Sequence, residues 1–144
     1  MCLHWAIHRL NGVSSPGNVA YSVDELQHQL MSSGASCLFT TLSLLPVSLP
    51  AAAAAGISKS RIFICDMPGD NDSHAEFKRL SQLIKEGEPL PELESLQWTK
   101  GQGKTQIAFL CFSSGTSGLP VSLSHFVQRS DTNRRLERCH DLAL

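Results

Sequence analysis

The chain has 144 residues, a net charge of −1 at pH 7 and 42% hydrophobic residues. A chain of this length forms one small domain that buries about two thirds of the surface of the unfolded chain. Because the charge is close to zero, the composition argues against a nucleic-acid partner and against a strongly acidic substrate.

The first helix that the pattern predicts begins at Ser22, which has the capping-box spacing to Glu25. Gly34 is placed to end this helix in the left-handed conformation that glycine adopts without strain. Apolar residues fall on one face of the helix, namely Val23, Leu26, Leu30 and Met31. A short buried strand is predicted next, over residues 37–40.

A second helix is predicted near residues 44–55, ending at Gly56. Pro46 suits the first turn of this helix. Pro50 falls in the interior, where proline removes a hydrogen bond and kinks the helix. Residues 61–65 are predicted to form a second strand.

A second capping-box spacing, from Ser73 to Glu76, predicts a third helix. Its inward-facing apolar residues are expected to be Phe77, Leu80, Leu83 and Ile84. Residues 86–103 are rich in proline, glycine and charge, and they form a long connection to a strand that starts at residue 107.

Strands that alternate with helices predict an α/β fold in which a parallel sheet is built through right-handed crossovers. On such sheets, ligands bind beyond the carboxyl ends of the strands. The strand over residues 107–112 is followed by a run of serine, threonine and glycine. We therefore expect the binding site to lie in that run.

The candidate site is a phosphate-binding loop over residues 113–120. Glycine allows a close backbone approach and positive φ, so that successive N–H groups can surround an anion. Serine and threonine hydroxyls add donors to phosphate oxygens and ligands for magnesium. The candidate residues are Ser113, Ser114, Gly115, Thr116, Ser117, Gly118, Leu119 and Pro120.

The run from residue 112 to residue 125 resembles the signature of adenylate-forming (AMP-binding) enzymes, in particular the acyl-CoA and coumarate–CoA ligase branch. In that signature a lysine and a small residue follow the proline, whereas here Pro120 is followed directly by Val121. Residues 6–26 are similar to a segment that these ligases carry before the loop, and residues 98–103 are similar to its approach in fungal-type members. The resemblance covers roughly residues 4–125.

The resemblance implies that residues 1–125 are a partial AMP-binding domain, a segment of the large amino-terminal domain of such an enzyme. It also implies ATP and magnesium as cofactors. The activity that the resemblance implies for the parent enzyme is the conversion of a carboxylic acid to an acyl-adenylate and then to a CoA thioester, and the match to fungal-type members implies a place in secondary metabolism. Residues 126–144 depart from the family and are expected to be a polar tail, disordered or weakly helical.

The missing lysine removes charge-assisted hydrogen bonds to phosphate, each worth about 1.5–3 kcal/mol. We therefore expect ATP binding to be weak or lost and assign no catalytic residue to this chain. Three functions stay open: an active ligase, an inactive ligase remnant, and an interaction module that pairs with an intact ligase or with itself through exposed sheet edges. The sequence favours the remnant.

Other candidate residues have simpler interpretations. Residues 101–105 lack the first glycine of a Walker loop and precede a strand, so we expect a linker turn. His4 and His8 are spaced to share a helix face, but no third zinc ligand is evident. We expect Cys111 to be a core residue and Ser124 to cap a helix.

Five scattered cysteines, an odd number without close pairs, argue against a disulfide framework and a zinc site. The amino terminus lacks the apolar core of a signal peptide. The apolar stretch at residues 44–57 is too short, and too rich in proline, to span a membrane. We therefore expect a cytoplasmic protein with no metal and no membrane contact.

Overall fold

A computed structural model describes residues 2–70, 76–94, 97, 99–114 and 120–126. The helices are α1 (Cys2–Arg9), α2 (Val23–Ser33), α3 (Leu45–Ala54) and α4 (Leu80–Gly87). The strands are β1 (Leu38–Thr40), β2 (Ile62–Ile64), β3 (Lys78–Arg79), β4 (Ile107–Ser114) and β5 (Pro120–Phe126). They form two sheets, and the predicted α/β class is confirmed.

The first sheet has the order β1-β2-β3, with every pair parallel. Leu38 lies opposite Ile62, and helix α3 makes the crossover between these two strands. The parallel pairing predicted for the first two strands is therefore confirmed. Beneath this sheet lies a core built from Leu30, Leu45, Ala51, Ala52, Ile57, Ile62, Ile64 and Phe77.

Helix α2 begins and ends where the sequence predicts. The Glu25 carboxylate accepts a hydrogen bond from the Ser22 amide at 2.8 Å, and the Ser22 hydroxyl accepts one from the Glu25 amide at 3.4 Å. Gly34 ends the helix with φ +64°. Leu30 is buried, whereas Met31 is 60% exposed and lies outside the buried face.

The prediction for the third helix is wrong at its start. Lys78 and Arg79 form a strand that pairs with β2, and the helix begins only at Leu80. Ser73 lies outside the described residues. Parallel pairing satisfies backbone groups that a longer helix would have used, and a carboxylate from elsewhere in the chain caps the shorter helix.

The inward face predicted for this third helix is confirmed only in part. Phe77 precedes the helix and is 3% exposed, so it belongs to the core. Leu80 and Leu83 are half-buried. Ile84 is 59% exposed, which contradicts its predicted inward position.

The second sheet is an antiparallel pair of β4 and β5, not a further part of the parallel sheet. Only residues 115–119 connect the two strands, whereas a parallel crossover needs a dozen residues or more. Ser124 lies within β5, so its predicted role as a helix cap is wrong. The predicted tail lies outside the described residues from residue 127 onward.

Helix α2 joins the two sheets. It packs against α3, which covers the parallel sheet, and it also lies against β5. Of the helices in the described ranges, none is long and apolar enough to cross a membrane.

Candidate functional site

The candidate phosphate loop connects the two strands of the hairpin. Ser113 and Ser114 are the last residues of β4, and Pro120 is the first residue of β5. Ser114 lies opposite Pro120, and Ser113 lies opposite Val121. Gly115, Thr116, Ser117, Gly118 and Leu119 lie outside the described residues. The structure therefore brings together the two ends of the loop at one end of a paired sheet.

The strand that leads into this loop is hydrogen-bonded on its other edge as well. The Ser14 amide donates to the Ala108 carbonyl at 2.9 Å, and the Leu110 amide donates to the Ser14 carbonyl at 2.9 Å. The Ser15 hydroxyl donates to the Leu110 carbonyl at 3.0 Å. Residue 14 thus forms an isolated parallel bridge with β4, and the side chain of residue 15 adds a further hydrogen bond.

Helix α2 reaches the same segment through Gln29, a residue that the sequence analysis did not single out. Its side chain is 2% exposed, and its amide nitrogen donates to the Ser15 hydroxyl at 2.8 Å and to the Pro16 carbonyl at 3.0 Å. The available signal was its position, because Gln29 lies three residues after Leu26 and therefore borders the apolar face of the helix.

Helix α1 packs on the middle of β4 through its two histidines. The rings of His8 and Phe109 are 4.7 Å apart, nearly perpendicular, and the His8 Nε2 donates to the Ala108 carbonyl at 2.9 Å. His4 lies 5.6 Å from the same phenyl ring, and burial lowers the pKa of its imidazole. These contacts give both histidines a packing role. Within the described ranges, no group of three His, Cys, Asp or Glu residues could hold a metal ion.

A second polar cluster lies where strands β2 and β3 of the parallel sheet end. The Asp66 carboxylate accepts from the Ser81 amide at 2.8 Å and from the Ser81 hydroxyl at 3.1 Å. The Arg79 guanidinium lies 3.4 Å from Asp66 and 3.7 Å from the Asp70 carboxylate. The Ser81 amide lowers the pKa of Asp66 most, and Arg79 adds to this. The cluster caps α4 and ties it to the sheet.

Two further candidates lie where the sequence analysis placed them. Cys111 is half-buried in β4, and burial raises the pKa of its thiol, which favours a core residue over a nucleophile. Gly101 has φ +89° and precedes a short turn over Gln102–Lys104, just before β4. That segment is a linker turn.

Comparison with known proteins assigns this arrangement to one family. The family model described as AMP-binding enzyme matches residues 1–127. The chain is 37% identical over 122 residues to the acyl-CoA ligase cm3C of Cordyceps militaris, covering 81% of this chain and 19% of that ligase. It is 40% identical over 124 residues to the acyl-CoA ligase AKT1 of Alternaria alternata, covering 83% of this chain and 21% of that ligase.

The fold has counterparts among solved structures. An anthranilate CoA ligase, AuaEII, solved in complex with anthranoyl-AMP, superposes with a TM-score of 0.66 at 21% identity, over 85% of this chain and 22% of that one. The chain therefore spans about a fifth of the length of the relatives it matches.

Proposed function

The chain belongs to the AMP-binding enzyme family, and on this basis we propose that it is the phosphate-loop segment of an acyl-CoA ligase. In the whole enzyme this loop would hold the phosphates of ATP while a carboxylic acid is activated and then passed to CoA. The single observation that carries the proposal is the position of the Ser/Gly/Thr run within the matched region, between two strands whose ends are paired.

The donor groups of the loop fit a nucleotide phosphate. Residues 113–117 include four hydroxyls, and the loop has glycines at Gly115 and Gly118, where the backbone can approach an anion closely. Such hydroxyls also suit a magnesium ion, which would supply positive charge beside the phosphate oxygens. No lysine or arginine lies between residues 113 and 126. We therefore propose that ATP binding by this chain is weak.

A titration with ATP tests the role of the loop. Inserting Lys-Gly between Pro120 and Val121 adds the cation, whereas inserting Ala-Gly at the same point adds only the length. One charge-assisted hydrogen bond is worth about 1.5–3 kcal/mol, so we expect the Lys-Gly form to bind about 10–100-fold more tightly than the Ala-Gly form. Equal affinities in calorimetry would show that this loop does not contact phosphate.

An assay of ligation completes the test. We propose that the chain by itself forms no acyl-CoA from ATP, CoA and a panel of aryl and fatty acids, because the loop lacks its cation. Product above a protein-free blank that disappears with Gly115→Trp would instead identify an active ligase.

A further inference from the structure

Gln29 is an unusual residue for the apolar face of a helix. With Ile64 it is one of the largest side chains that are fully buried in the described part of the chain. Burying an amide is costly unless it is hydrogen-bonded, and an apolar residue of similar size would fill the same space without that cost. Its Oε1 has no hydrogen-bond partner among the described residues, so the hydrogen bonds of this amide are those that its nitrogen donates.

The nitrogen of this amide makes all its contacts with one short segment. It donates to the Ser15 hydroxyl at 2.8 Å and to the Pro16 carbonyl at 3.0 Å, and it lies 3.4 Å from the Ser15 carbonyl. An NH₂ group has two hydrogens, so the two shorter contacts use both. The Gln29 side chain is therefore hydrogen-bonded to residues 15 and 16 through both of its N–H groups.

Ser15 is hydrogen-bonded both to Gln29 and to strand β4. Its hydroxyl accepts from Gln29 and donates to the Leu110 carbonyl at 3.0 Å. The neighbouring Ser14 is bonded to Ala108 and Leu110 through its backbone, each at 2.9 Å. A continuous path of hydrogen bonds thus runs from helix α2 to β4.

Strand β4 continues from Leu110 to Ser113 and Ser114, the first two residues of the loop. Four residues of strand span about 13 Å. A slip of one residue in strand register would move every side chain to the opposite face. The contacts at Ser14 and Ser15 set this register on the edge of β4 that β5 does not cover.

We propose that Gln29 is a positioning residue for strand β4 and for the base of the phosphate loop, where that strand ends. Acting through Ser15, it fixes β4, and with it the base of the loop at Ser113 and Ser114, against helix α2. The effect on nucleotide binding rests on the proposed function, whereas the effect on β4 does not.

Amide hydrogen exchange tests the effect on β4. Gln29→Met keeps the size of the side chain and removes the hydrogen-bond donor. The control, Gln27→Met, is the same substitution at a half-buried position of the same helix. We expect Gln29→Met to speed exchange of the Ser14 and Leu110 amides about tenfold more than that of the β2 amides, because the opening is local. Gln27→Met should leave these amides unchanged. Uniform acceleration, or none, would overturn the proposal.

The variant Gln29→Glu separates hydrogen bonding from packing. A neutral carboxyl can donate to the Ser15 hydroxyl, whereas a carboxylate can only accept and would face two carbonyls. Burial raises the pKa of such a carboxyl. Protection of the Leu110 amide, relative to Gln29→Met at the same pH, should therefore be high in acid and fall as the carboxyl ionises. A pH-independent ratio would contradict a role for the donor.

An NMR titration with ATP in the millimolar range tests the link to the loop. Gln29→Met should weaken the ATP-induced shifts of the Ser113 and Ser114 amides, raising Kd about fivefold, and Gln27→Met should not. Faster exchange in β4 with an unchanged Kd would overturn the positioning of the loop. If the unmodified chain shows no ATP-induced shift, the proposed function of the loop fails, and the exchange data alone decide whether Gln29 fixes β4.

Discussion

At the scale of single residues, Asp66 caps helix α4 although it is distant from that helix in sequence. It follows strand β2, yet it accepts hydrogen bonds from the amide and the hydroxyl of Ser81, in the first turn of α4. These donors favour its ionised form, and the pKa of Asp66 lies below its ordinary value of 3.8. The helix therefore depends on a carboxylate 15 residues away in sequence.

The lowered pKa predicts a loss of stability in acid. Because the folded-state pKa is depressed, the stabilisation by Asp66 is present above pH 3.8 and is lost as the pH falls through the lower folded-state value. Asp66→Asn keeps an acceptor oxygen without a titrating proton. In thermal melts between about pH 2 and about pH 6, the Tm of Asp66→Asn should fall less steeply in acid than the Tm of the unmodified chain.

The matched control for this variant is Glu92→Gln, at an exposed position with no role in capping. It should follow the unmodified chain at every pH. Equal acid dependence in Asp66→Asn and the unmodified chain would show that Asp66 contributes nothing to stability as an ion.

At the scale of elements, helix α3 continues through a proline. Pro50 is exposed in its interior, whereas Pro46 is in the first turn. An interior proline costs about 3 kcal/mol relative to alanine, because it lacks the N–H and its ring clashes with the preceding turn. The helix forms nevertheless, because its buried residues Ala51 and Ala52 pack into the core at 0% exposure.

Replacing this proline should stabilise the protein. Pro50→Ala restores an N–H that can bond to the carbonyl of residue 46, and the greater freedom of the unfolded chain offsets about 0.4–1 kcal/mol of the gain. We expect a net increase of about 2 kcal/mol in the free energy of unfolding, measured in urea. Pro46→Ala is the control and should give no gain, since the first turn has no such hydrogen bond to restore. Equal effects of both variants would contradict this account.

At the scale of the whole molecule, several large apolar side chains of the described residues are exposed to solvent. Helices α1 and α4 contain no buried residue, and Trp5 and Ile84 are 60% and 59% exposed. Exposed apolar patches mark interfaces or sites of aggregation. The described parallel sheet has the order β1-β2-β3, so β1 and β3 are its edge strands, and edge strands can pair with another chain.

Because large apolar side chains are exposed, we expect the isolated chain to be marginally stable and to self-associate. Ile84→Ser should raise the monomer fraction in sedimentation, whereas Lys85→Ser on the same helix should not, because only the first removes apolar surface. A monomer with one sharp denaturant transition and about 5–15 kcal/mol of stability would show a self-sufficient fold.

The sequence by itself determined the features that depend on neighbours along the chain. Ser22, Glu25 and Gly34 set both ends of α2, because a capping box and a left-handed glycine act within one turn. The α/β class and the first parallel pair also follow from the order of elements. The signature over residues 112–125, together with the similar segments at residues 6–26 and 98–103, identified the family.

Only the tertiary structure decided what depends on distant partners. Asp66 caps α4 at Ser81, so the helix begins later than the capping-box spacing at Ser73 predicts. The connection between β4 and β5 has five residues, and the two strands are therefore antiparallel. Gln29 gained its contacts with Ser15 from a segment that no helical periodicity relates to it. The physical reason is the same in each case. A local pattern shows which backbone groups need partners, but long-range packing determines which distant atoms supply them.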